Sequence, residues 1–447
     1  MSQNATKSSF PKYPAYKYSG VEWLGEIPEG WEVNRLKSII SLLTGYPFKS
    51  EKYSNTGVKL ARGINVKEGY FDWTDKRCWP EVSKELEPFL LEEGDVLIAM
   101  DGSKVGKNFC QVKQTDLPTL LLQRVARLRT RNSLLPKYLY WNIVSKSFLS
   151  WVNISKTDPM VPHIAPKDIN NFVIAIPSPS EQTAIAAFLD DKTAKIDRAI
   201  AQKEQLIALL KERKQIIIQN AVTKGLDPNV KLKDSGVESL PSGQAGIGEI
   251  PEHWEVVANR VLFKETKLPG REGLPLLSVS IHSAVSTEEL SDEKNIRGLI
   301  KIDDKANYKY VAVNDIVFNM MRAWQGAIGA VKVEGMVSPA YVVAKPNKKI
   351  VASYFEYLYR TSAFIQQMNK YSKGITDFRK RLYWDEFKQL QTVLPLKSEQ
   401  LEIVKIIETQ SAKIDQAINL QRTQIEKLKE YKATLIDSAV TGKIKVI

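Results

Sequence analysis

The sequence predicts an α+β protein of two similar halves, each a β-rich mixed domain followed by one long helix. Three observations support this architecture. Ser-Glu-Gln occurs at 180–182 and at 398–400, and Ala-Val-Thr occurs at 221–223 and at 439–441. Both pairs are 218 residues apart, so a pseudo-twofold internal repeat runs through the chain. Short apolar runs bounded by Gly, Pro or polar residues precede each repeated segment and predict strands.

The two repeated segments, 181–222 and 399–442, are predicted to be long helices. Apolar residues recur in both at spacings of three, four or seven, which draws one apolar stripe along each helix. Ser180 and Ser398 are candidate N-caps. A stripe this long needs a partner, and the other copy offers the complementary surface, so an imperfect coiled coil is predicted. The predicted pairing positions are Ile196, Ile200, Ile207, Leu210, Ile217, Ile414, Ile418, Ile425, Leu428 and Leu435.

The segments outside the helices are predicted to be two α/β mixtures with a shared frame. Gly-Glu-Ile-Pro-x-x-Trp-Glu-Val at 25–33 returns at 248–256, whereas residues 45–92 and 264–310 share little sequence. Predicted strands are Val96–Met100, Val125–Leu128, Phe172–Ile176, Ile316–Phe318 and Tyr341–Ala344, and predicted helices are 137–151 and 353–369. The predicted domains are a first domain at 1–180, a helix at 181–222, a linker at 223–249, a second domain at 250–398, a helix at 399–442 and a tail at 443–447.

Composition limits the classes of function. The net charge is +13, of which residues 1–180 carry +6 and 223–398 carry +5, so a polyanionic partner is expected to meet the two bulky domains. The N-terminus lacks the apolar stretch of a secretory signal, and no apolar run is long enough to span a membrane. Two distant cysteines, Cys78 and Cys110, suit a reducing cytoplasm. A cytoplasmic protein without membrane contact is therefore expected.

Motifs for catalysis or metal binding are weak. The segment at 102–108 resembles a phosphate-binding loop, but it is one residue short and ends in Asn108 instead of the hydroxyl residue that binds magnesium. No Asn/Asp-Pro-Pro-Tyr/Phe signature of an amino-methyltransferase occurs, and three histidines in unrelated contexts offer no metal or triad spacing. The chain is expected to be non-catalytic, without a cofactor or metal of its own.

The order and duplication of these motifs resemble the specificity subunit of a type I DNA restriction–modification system. The resemblance covers nearly the whole chain, from Tyr18 to Gly442. It implies two target-recognition domains, each reading one half of a bipartite site on double-stranded DNA. It also implies two long helices that pair antiparallel, set the half-site distance and bind two methyltransferase subunits, with restriction subunits joining that core. S-adenosylmethionine, ATP and Mg are then expected in the partner subunits.

Loops rich in basic and amide side chains are the candidate DNA contacts, because base edges are read by hydrogen-bond donors and register is held by phosphate contacts. One loop follows a predicted strand in each half, and a second patch in each half is matched by family position. The divergent inserts are expected to carry specificity. The candidate residues are Ser103, Lys104, Lys107, Arg62 and Lys156 in the first half, and Arg322, Trp324, Gln325, Lys373, Arg379, Lys380 and Arg381 in the second.

Two other functions remain open on the sequence alone. The chain could be a stand-alone nuclease or methyltransferase with its own active site, which the missing motifs oppose. It could also be a coiled-coil scaffold whose basic domains bind acidic proteins. Sequence-selective, salt-dependent DNA binding separates the recognition subunit from the scaffold.

Overall fold

In the computed structural model, the described residues are 10–131, 134–156, 162–237, 246–287, 305–374 and 380–446. They form two compact units. Unit 1 comprises residues 1–204 together with 422–447, and unit 2 comprises residues 205–421. Unit 1 is therefore assembled from two distant stretches of the chain, whereas unit 2 is continuous in sequence.

Unit 1 contains the first set of strands and short helices. Its strands are β1 Tyr16–Tyr18, β2 Glu26–Pro28, β3 Glu32–Arg35, β4 Ile40–Thr44, β5 Val58–Ala61, β6 Val66–Lys67, β7 Tyr70–Phe71, β8 Cys78–Trp79, β9 Val96–Ala99, β10 Phe109–Gln111, β11 Thr119–Leu121, β12 Val125–Thr130 and β13 Val173–Ile176. Its helices are α1 Leu36–Ile39, α2 Pro136–Val144, α3 Lys146–Ser155 and α4 Pro166–Asn171, followed by the first part of the long helix α5 Pro179–Lys224.

Unit 2 repeats this series. Its strands are β14 Leu232–Asp234, β15 Glu249–Pro251, β16 Glu255–Ala258, β17 Phe263–Thr266, β18 Ser278–Ser280, β19 Ala284–Ser286, β20 Lys309–Val311, β21 Ile316–Asn319, β22 Ile328–Ala330, β23 Gly335–Val337, β24 Tyr341–Pro346 and β25 Gln391–Leu394. Its helices are α6 Asn259–Leu262, α7 Ala352–Tyr359, α8 Ser362–Tyr371 and α9 Trp384–Phe387, followed by the long helix α10 Lys397–Val440, which returns to unit 1 at residue 422.

Three sheets recur in the two units with the same strand order. A four-stranded antiparallel sheet, β10-β9-β12-β4, corresponds to β22-β21-β24-β17. The pair β3–β13 corresponds to β16–β25, and the hairpin β6–β7 corresponds to β18–β19. The predicted strands are confirmed, and the α+β class with its internal repeat is confirmed.

The described parts of the divergent inserts share one strand arrangement despite their unlike sequences. In unit 1, Leu120 lies between a parallel neighbour, Leu60, and an antiparallel neighbour, Leu90. In unit 2, Met336 lies between Leu276 (parallel) and Tyr310 (antiparallel) in the same way. Backbone hydrogen bonds and apolar pattern thus maintain one fold while the side chains differ, because a strand needs only alternation and burial.

The predicted N-caps of the two long helices need correction. Ser180 and Ser398 lie inside the first turns, because α5 begins at Pro179 and α10 at Lys397. Ser178 caps α5 instead, since its Oγ accepts from the Glu181 amide at 3.4 Å while the Glu181 carboxylate receives the Ser178 amide.

The predicted helices 137–151 and 353–369 are each interrupted. Ser145 ends α2 and caps α3, accepting from the Phe148 amide at 3.1 Å. In unit 2 the break falls at Arg360 and Thr361, where the Thr361 hydroxyl donates to the Leu358 carbonyl at 2.7 Å. Hydroxyl side chains that bond the local backbone compete with continued helix, and this explains both breaks.

The long helices pair antiparallel within each unit. In unit 1 the ammonium of Lys432 lies 2.7 Å from the carboxylate of Asp197, and in unit 2 that of Lys214 lies 2.8 Å from Asp415. These two ion pairs are related by the 218-residue repeat. The predicted pairing positions are buried or half-buried, which fits the stripe drawn from the sequence.

The repeated Glu-Gln pair joins each helix to its domain. Glu181 accepts from the indole of Trp31 at 3.5 Å, and Glu399 accepts from the indole of Trp254 at 3.0 Å. The next residue is a buried glutamine in both units. Its side-chain oxygen accepts the backbone amide of the residue before α2 or α7. Its side-chain amide donates to the proline carbonyl upstream of its own long helix. Buried amides need such partners, so this motif fixes where each helix leaves its domain.

A buried tyrosine joins each domain to the end of the other long helix. The Tyr138 hydroxyl lies 3.1 Å from the Val440 carbonyl, and the Tyr354 hydroxyl donates to the Val222 carbonyl at 2.8 Å. Burial raises the pKa of both phenols, so they remain neutral donors. The Tyr354 contact caps the last turn of α5, where carbonyls lack intrahelical partners, whereas the Tyr138 hydroxyl lies between the Val440 carbonyl and the Ala175 carbonyl, which is 2.8 Å away.

The glycine after each long helix packs on the tryptophan of its own unit, Gly442 on Trp31 and Gly225 on Trp254. Gly442 adopts φ of +73°, and a Cβ there would lie 2.3 Å from Pro28 and 3.2 Å from Trp31. Gly225 has φ of +76°, but its nearest neighbours would be 3.4 Å or more away. Position 442 therefore requires glycine for its left-handed backbone and because a Cβ would clash, whereas position 225 requires glycine for its left-handed backbone alone.

We predict that Gly442→Ala destabilises unit 1 more than Gly225→Ala destabilises unit 2. Left-handed backbone costs either alanine about 1–2 kcal/mol, and overpacking against Pro28 adds about 1–3 kcal/mol at position 442 only. Hydrogen exchange of the amides around Trp31 and Trp254 measures the two effects separately. Equal loss of protection in the two variants would contradict the close packing at Gly442.

Candidate nucleic-acid interface

The loop at 101–108 of unit 1 presents three of the predicted side chains to solvent. Ser103, Lys104 and Lys107 are exposed, while Val105 and Gly106 between them are buried. A Cβ at Gly106 would lie 2.9 Å from Val152 of α3, so the middle of the loop is seated on that helix. A loop held at its centre fixes the backbone from which its cationic side chains extend into solvent.

Pro162, which follows α3 in the sequence, lies beside this loop. The Gly102 amide donates to the Pro162 carbonyl at 3.0 Å. Lys156, at the end of α3, is exposed and its ammonium donates to the Asn153 amide oxygen at 3.0 Å. The described contacts therefore place the loop 101–108 and Pro162, which follows the second predicted patch, at one edge of the four-stranded sheet.

A cluster that the sequence did not predict occupies the same edge. Asp101 bonds the imidazole Nδ1 of His163 and lies 3.4 Å from the Nε atom of Arg124. Arg124 is the residue before β12 and is 73% exposed. An arginine before a strand carries no distinguishing sequence signal, so only the folded structure identifies this cluster.

Arg62 is engaged within the insert of unit 1. Its Nε atom donates to Asn65 at 3.1 Å, its guanidinium lies 2.9 Å from the Asp75 carboxylate, and its side chain is 17% exposed. The hydrogen bond from Arg62 lowers the pKa of Asp75, which keeps that carboxylate charged. Arg62 therefore links the two ends of the loop that contains β6 and β7.

The equivalent loop of unit 2 carries larger side chains. Arg322 is exposed, and residues Ala323–Gln325 form a 3-10 turn that ends at Gly326 with φ of +94°. Trp324 and Gln325 are half-buried, and the indole of Trp324 donates to the Met321 carbonyl at 2.9 Å. The predicted cation, ring and amide thus lie on one short turn.

The second basic patch of unit 2 packs against that turn. The Lys380 ammonium lies 5.5 Å from the centre of the Trp324 ring and donates to Asn369 at 2.9 Å. Lys373 and Arg381 exchange two backbone hydrogen bonds, and Lys373 bonds Glu386, which raises the pKa of the lysine. Arg379 lies outside the described residues.

Arg360 binds the hairpin β18–β19 to the same turn. Its guanidinium donates to the carbonyls of Ile281 at 2.7 Å and Gly326 at 3.1 Å, and it lies near three further carbonyls. Burial lowers its pKa, but a guanidinium stays protonated in proteins. In unit 1 the matching hairpin β6–β7 is supported instead by the Gly69 amide, which donates to Phe109 at 2.8 Å.

The two edges are therefore built alike and differ in their side chains. His163 and Arg381 occupy equivalent places, because the residue after each donates its amide to an equivalent methionine, Met100 or Met320, at 2.9 Å. Across the described part of the chain, no group of three or more His, Cys, Asp or Glu is arranged to hold a metal ion. Over the same residues, no helix is long and apolar enough to cross a membrane.

Residues 28–209 and 255–430 match the family described as "Type I restriction modification DNA specificity domain". The two matched segments begin within the repeated Gly-Glu-Ile-Pro-x-x-Trp-Glu-Val openings and end inside the long helices. Together they cover most of the chain.

Relatives and solved structures agree with that match. The chain is similar to the type I restriction enzyme EcoBI specificity subunit of Escherichia coli, with 25% identity over 95% of this chain and 88% of that protein. It is 35% identical to the EcoAI specificity subunit of E. coli over 178 residues, which are 37% of this chain and 29% of that protein. Its fold is similar to the HsdS subunit from Thermoanaerobacter tengcongensis, at 15% identity, with a TM-score of 0.53 over 94% of this chain and 98% of that one. It is also similar to a chain from a structural study of complex assembly in the type I R-M system, at 14% identity, with a TM-score of 0.63 over 93% and 98% of the two chains.

Proposed function

Because the chain belongs to the type I restriction–modification DNA specificity family, we propose that it is the non-catalytic subunit that selects the DNA sequence for such a complex. The observation that carries this proposal is the repeated sheet edge with exposed basic loops, present once in each unit. Methyl transfer and cleavage, with their S-adenosylmethionine, ATP and Mg, then belong to the partner subunits.

The proposed ligand of each edge is one half-site of double-stranded DNA. Lys104 and Lys107 in unit 1 and Arg322 in unit 2 are exposed cations on short loops, which suits contact with a phosphate backbone. Trp324 and Gln325 add an aromatic surface and an amide. Two such edges in one chain support recognition of a bipartite site.

The difference between the edges supports an asymmetric site. His163 of unit 1 occupies the place that Arg381 occupies in unit 2, and the hairpins of the two units are held by unlike contacts. Base readout depends on donors and acceptors at fixed positions, so unlike side chains on like frames select unlike half-sites.

We predict that the full chain selects two separated sequence elements from a random duplex pool, with affinity that falls steeply as salt rises. Arg322→Glu combined with Lys380→Glu should weaken binding by about tenfold or more, because two cations at a phosphate-facing edge are reversed. The matched control is Lys332→Glu combined with Lys348→Glu, since these exposed lysines lie at the opposite end of strands β22 and β24.

Three outcomes would contradict the proposal. Equal losses in the test and control variants would show that net charge alone, and not this edge, binds DNA. Binding without a sequence motif would favour the scaffold. Methylation or cleavage of DNA by the purified chain alone would favour the stand-alone enzyme.

The long helices are proposed to set the separation of the half-sites. The ion pair between Asp197 and Lys432 gives the register of the antiparallel pair in unit 1. In that register, residues 196–202 lie opposite 427–433. A paired deletion of these two heptads removes the same length from each helix, about 10 Å, and leaves the remaining contacts in phase.

We predict that this paired deletion shortens the preferred spacer between the half-sites without changing either half-site. Sequencing of DNA selected by the variant measures both properties. Deleting 196–202 alone serves as the control, since it misaligns the pair and should impair folding, seen as a lower melting temperature. An unchanged spacer in a folded paired-deletion variant would contradict the spacing role.

Methyltransferase subunits are proposed to dock on the helices. Leu206, Leu209 and Ile216 of α5 are 41%, 54% and 51% exposed and lie on one stripe, away from the pairing positions. Solvent-facing helix positions are normally polar, so an apolar stripe at this spacing suits a partner helix.

We predict that Leu209→Glu combined with Ile216→Glu reduces co-purification of the methyltransferase subunit while DNA selection by the isolated chain is retained. Charges on the stripe would be buried without partners in the complex. Ala208→Glu combined with Gln215→Glu is the matched control, because these exposed residues have the same spacing on a neighbouring face. Wild-type yield of the complex from the stripe variant would exclude this surface.

A further inference from the structure

The turn formed by Gln123 and Arg124 is fixed on both sides. The Met100 amide donates to the Arg124 carbonyl at 2.9 Å, and the Gln123 amide donates to the Tyr46 carbonyl at 3.0 Å. Beneath the turn, a Cβ on Gly45 would lie only 2.1 Å from the Leu122 carbonyl carbon. The backbone of this turn is therefore held closely at the same edge as the loop 101–108.

Arg124 adopts a left-handed backbone conformation with φ of +70°. Glycine adopts this conformation without steric cost, whereas a side chain with a Cβ is disfavoured there. Backbone held in such a conformation is concentrated at ligand-binding sites, which directs attention to the exposed side chain at this position. Arg124 is 73% exposed, so its role is not to fill the core.

The side chain of Arg124 forms an ion pair with a carboxylate. Asp101 lies 3.4 Å from Nε, and the other oxygen of Asp101 bonds His163. Among the described residues, no partner is found for the Nη1 and Nη2 atoms of Arg124. A guanidinium held at Nε presents its two terminal amines as a planar pair of donors.

We propose that Arg124 reads a guanine in the half-site bound by unit 1, with Asp101 as its positioning residue. Two parallel N–H donors match the O6 and N7 acceptors that guanine shows in the major groove. Lys104 and Lys107, on the neighbouring loop, contact the flanking phosphates. This inference rests on the proposed DNA-recognition function and assigns one base of the site.

Three substitutions separate base reading from general attraction. Arg124→Lys keeps the charge and removes the planar pair of donors. Arg124→Gly removes the side chain and relieves the backbone. Asp101→Asn keeps the size of the positioning residue and removes its charge. The contrast variant is Lys104→Ala, which should weaken binding to all sequences alike and reduce the salt dependence.

The experiment is selection of bound duplexes by the full chain and each variant, followed by affinity measurements on the four base pairs at the guanine position. All three variants should lose discrimination at that single position, by about tenfold to a hundredfold for Arg124→Lys and Arg124→Gly. The second half-site should be unchanged. The melting temperature of Arg124→Gly should equal or exceed that of the wild type.

Three results would overturn the assignment. The first is a guanine preference that survives in Arg124→Gly. The second is a uniform loss of affinity with unchanged selection, which would make Arg124 a phosphate contact. The third is normal selection by Asp101→Asn, which would remove the positioning role. If the wild-type chain itself selects no bipartite motif, the proposed function fails; if it does and the Arg124 variants select the same site, only this inference fails.

Discussion

Each β-rich domain is held to the long helices by one set of buried hydrogen bonds, made by a glutamate–glutamine pair and a tyrosine. Glu181 and Glu399 accept from tryptophan indoles at the start of each helix. Tyr138 and Tyr354 reach the last turn of the helix that arrives from the other half of the sequence. Loss of one partner would leave a buried polar group unsatisfied, which is costly, so the architecture depends on this set. The repeat is most regular where these contacts occur.

This constraint gives the repeated frame and the divergent inserts different roles. The frame fixes strand order, helix entry and the position of each sheet edge, and the edge then carries whatever side chains the insert supplies. Arg360 supports the hairpin of unit 2 through its guanidinium, whereas unit 1 supports its hairpin with a backbone amide at Gly69. Two chemically different supports give one geometry. Side chains at the edge can therefore differ without a change of fold.

Much of the frame could be predicted because its signals are local. Helical spacing predicted both long helices, and alternating apolar runs predicted the central strands. The shared strand arrangement of the inserts could not be predicted, because strands that share only burial and alternation have no common sequence. Arg124 was missed for a related reason, since its partners Asp101 and His163 are distant in the sequence. Charge predicts Arg62 as a DNA contact, yet its contacts with Asn65 and Asp75 depend on a loop that sequence spacing does not define.

The division of the chain between the units has a consequence for synthesis. Unit 2 is built from one continuous stretch and can close as soon as residue 421 has left the ribosome. The core of unit 1 includes residues from 422–447 together with Trp31 and Tyr138. This core cannot be completed until the last helix has been synthesised. Contacts between distant residues form slowly. The domain translated first is therefore completed last, and its tryptophan and tyrosine sites stay uncovered while the rest of the chain is made.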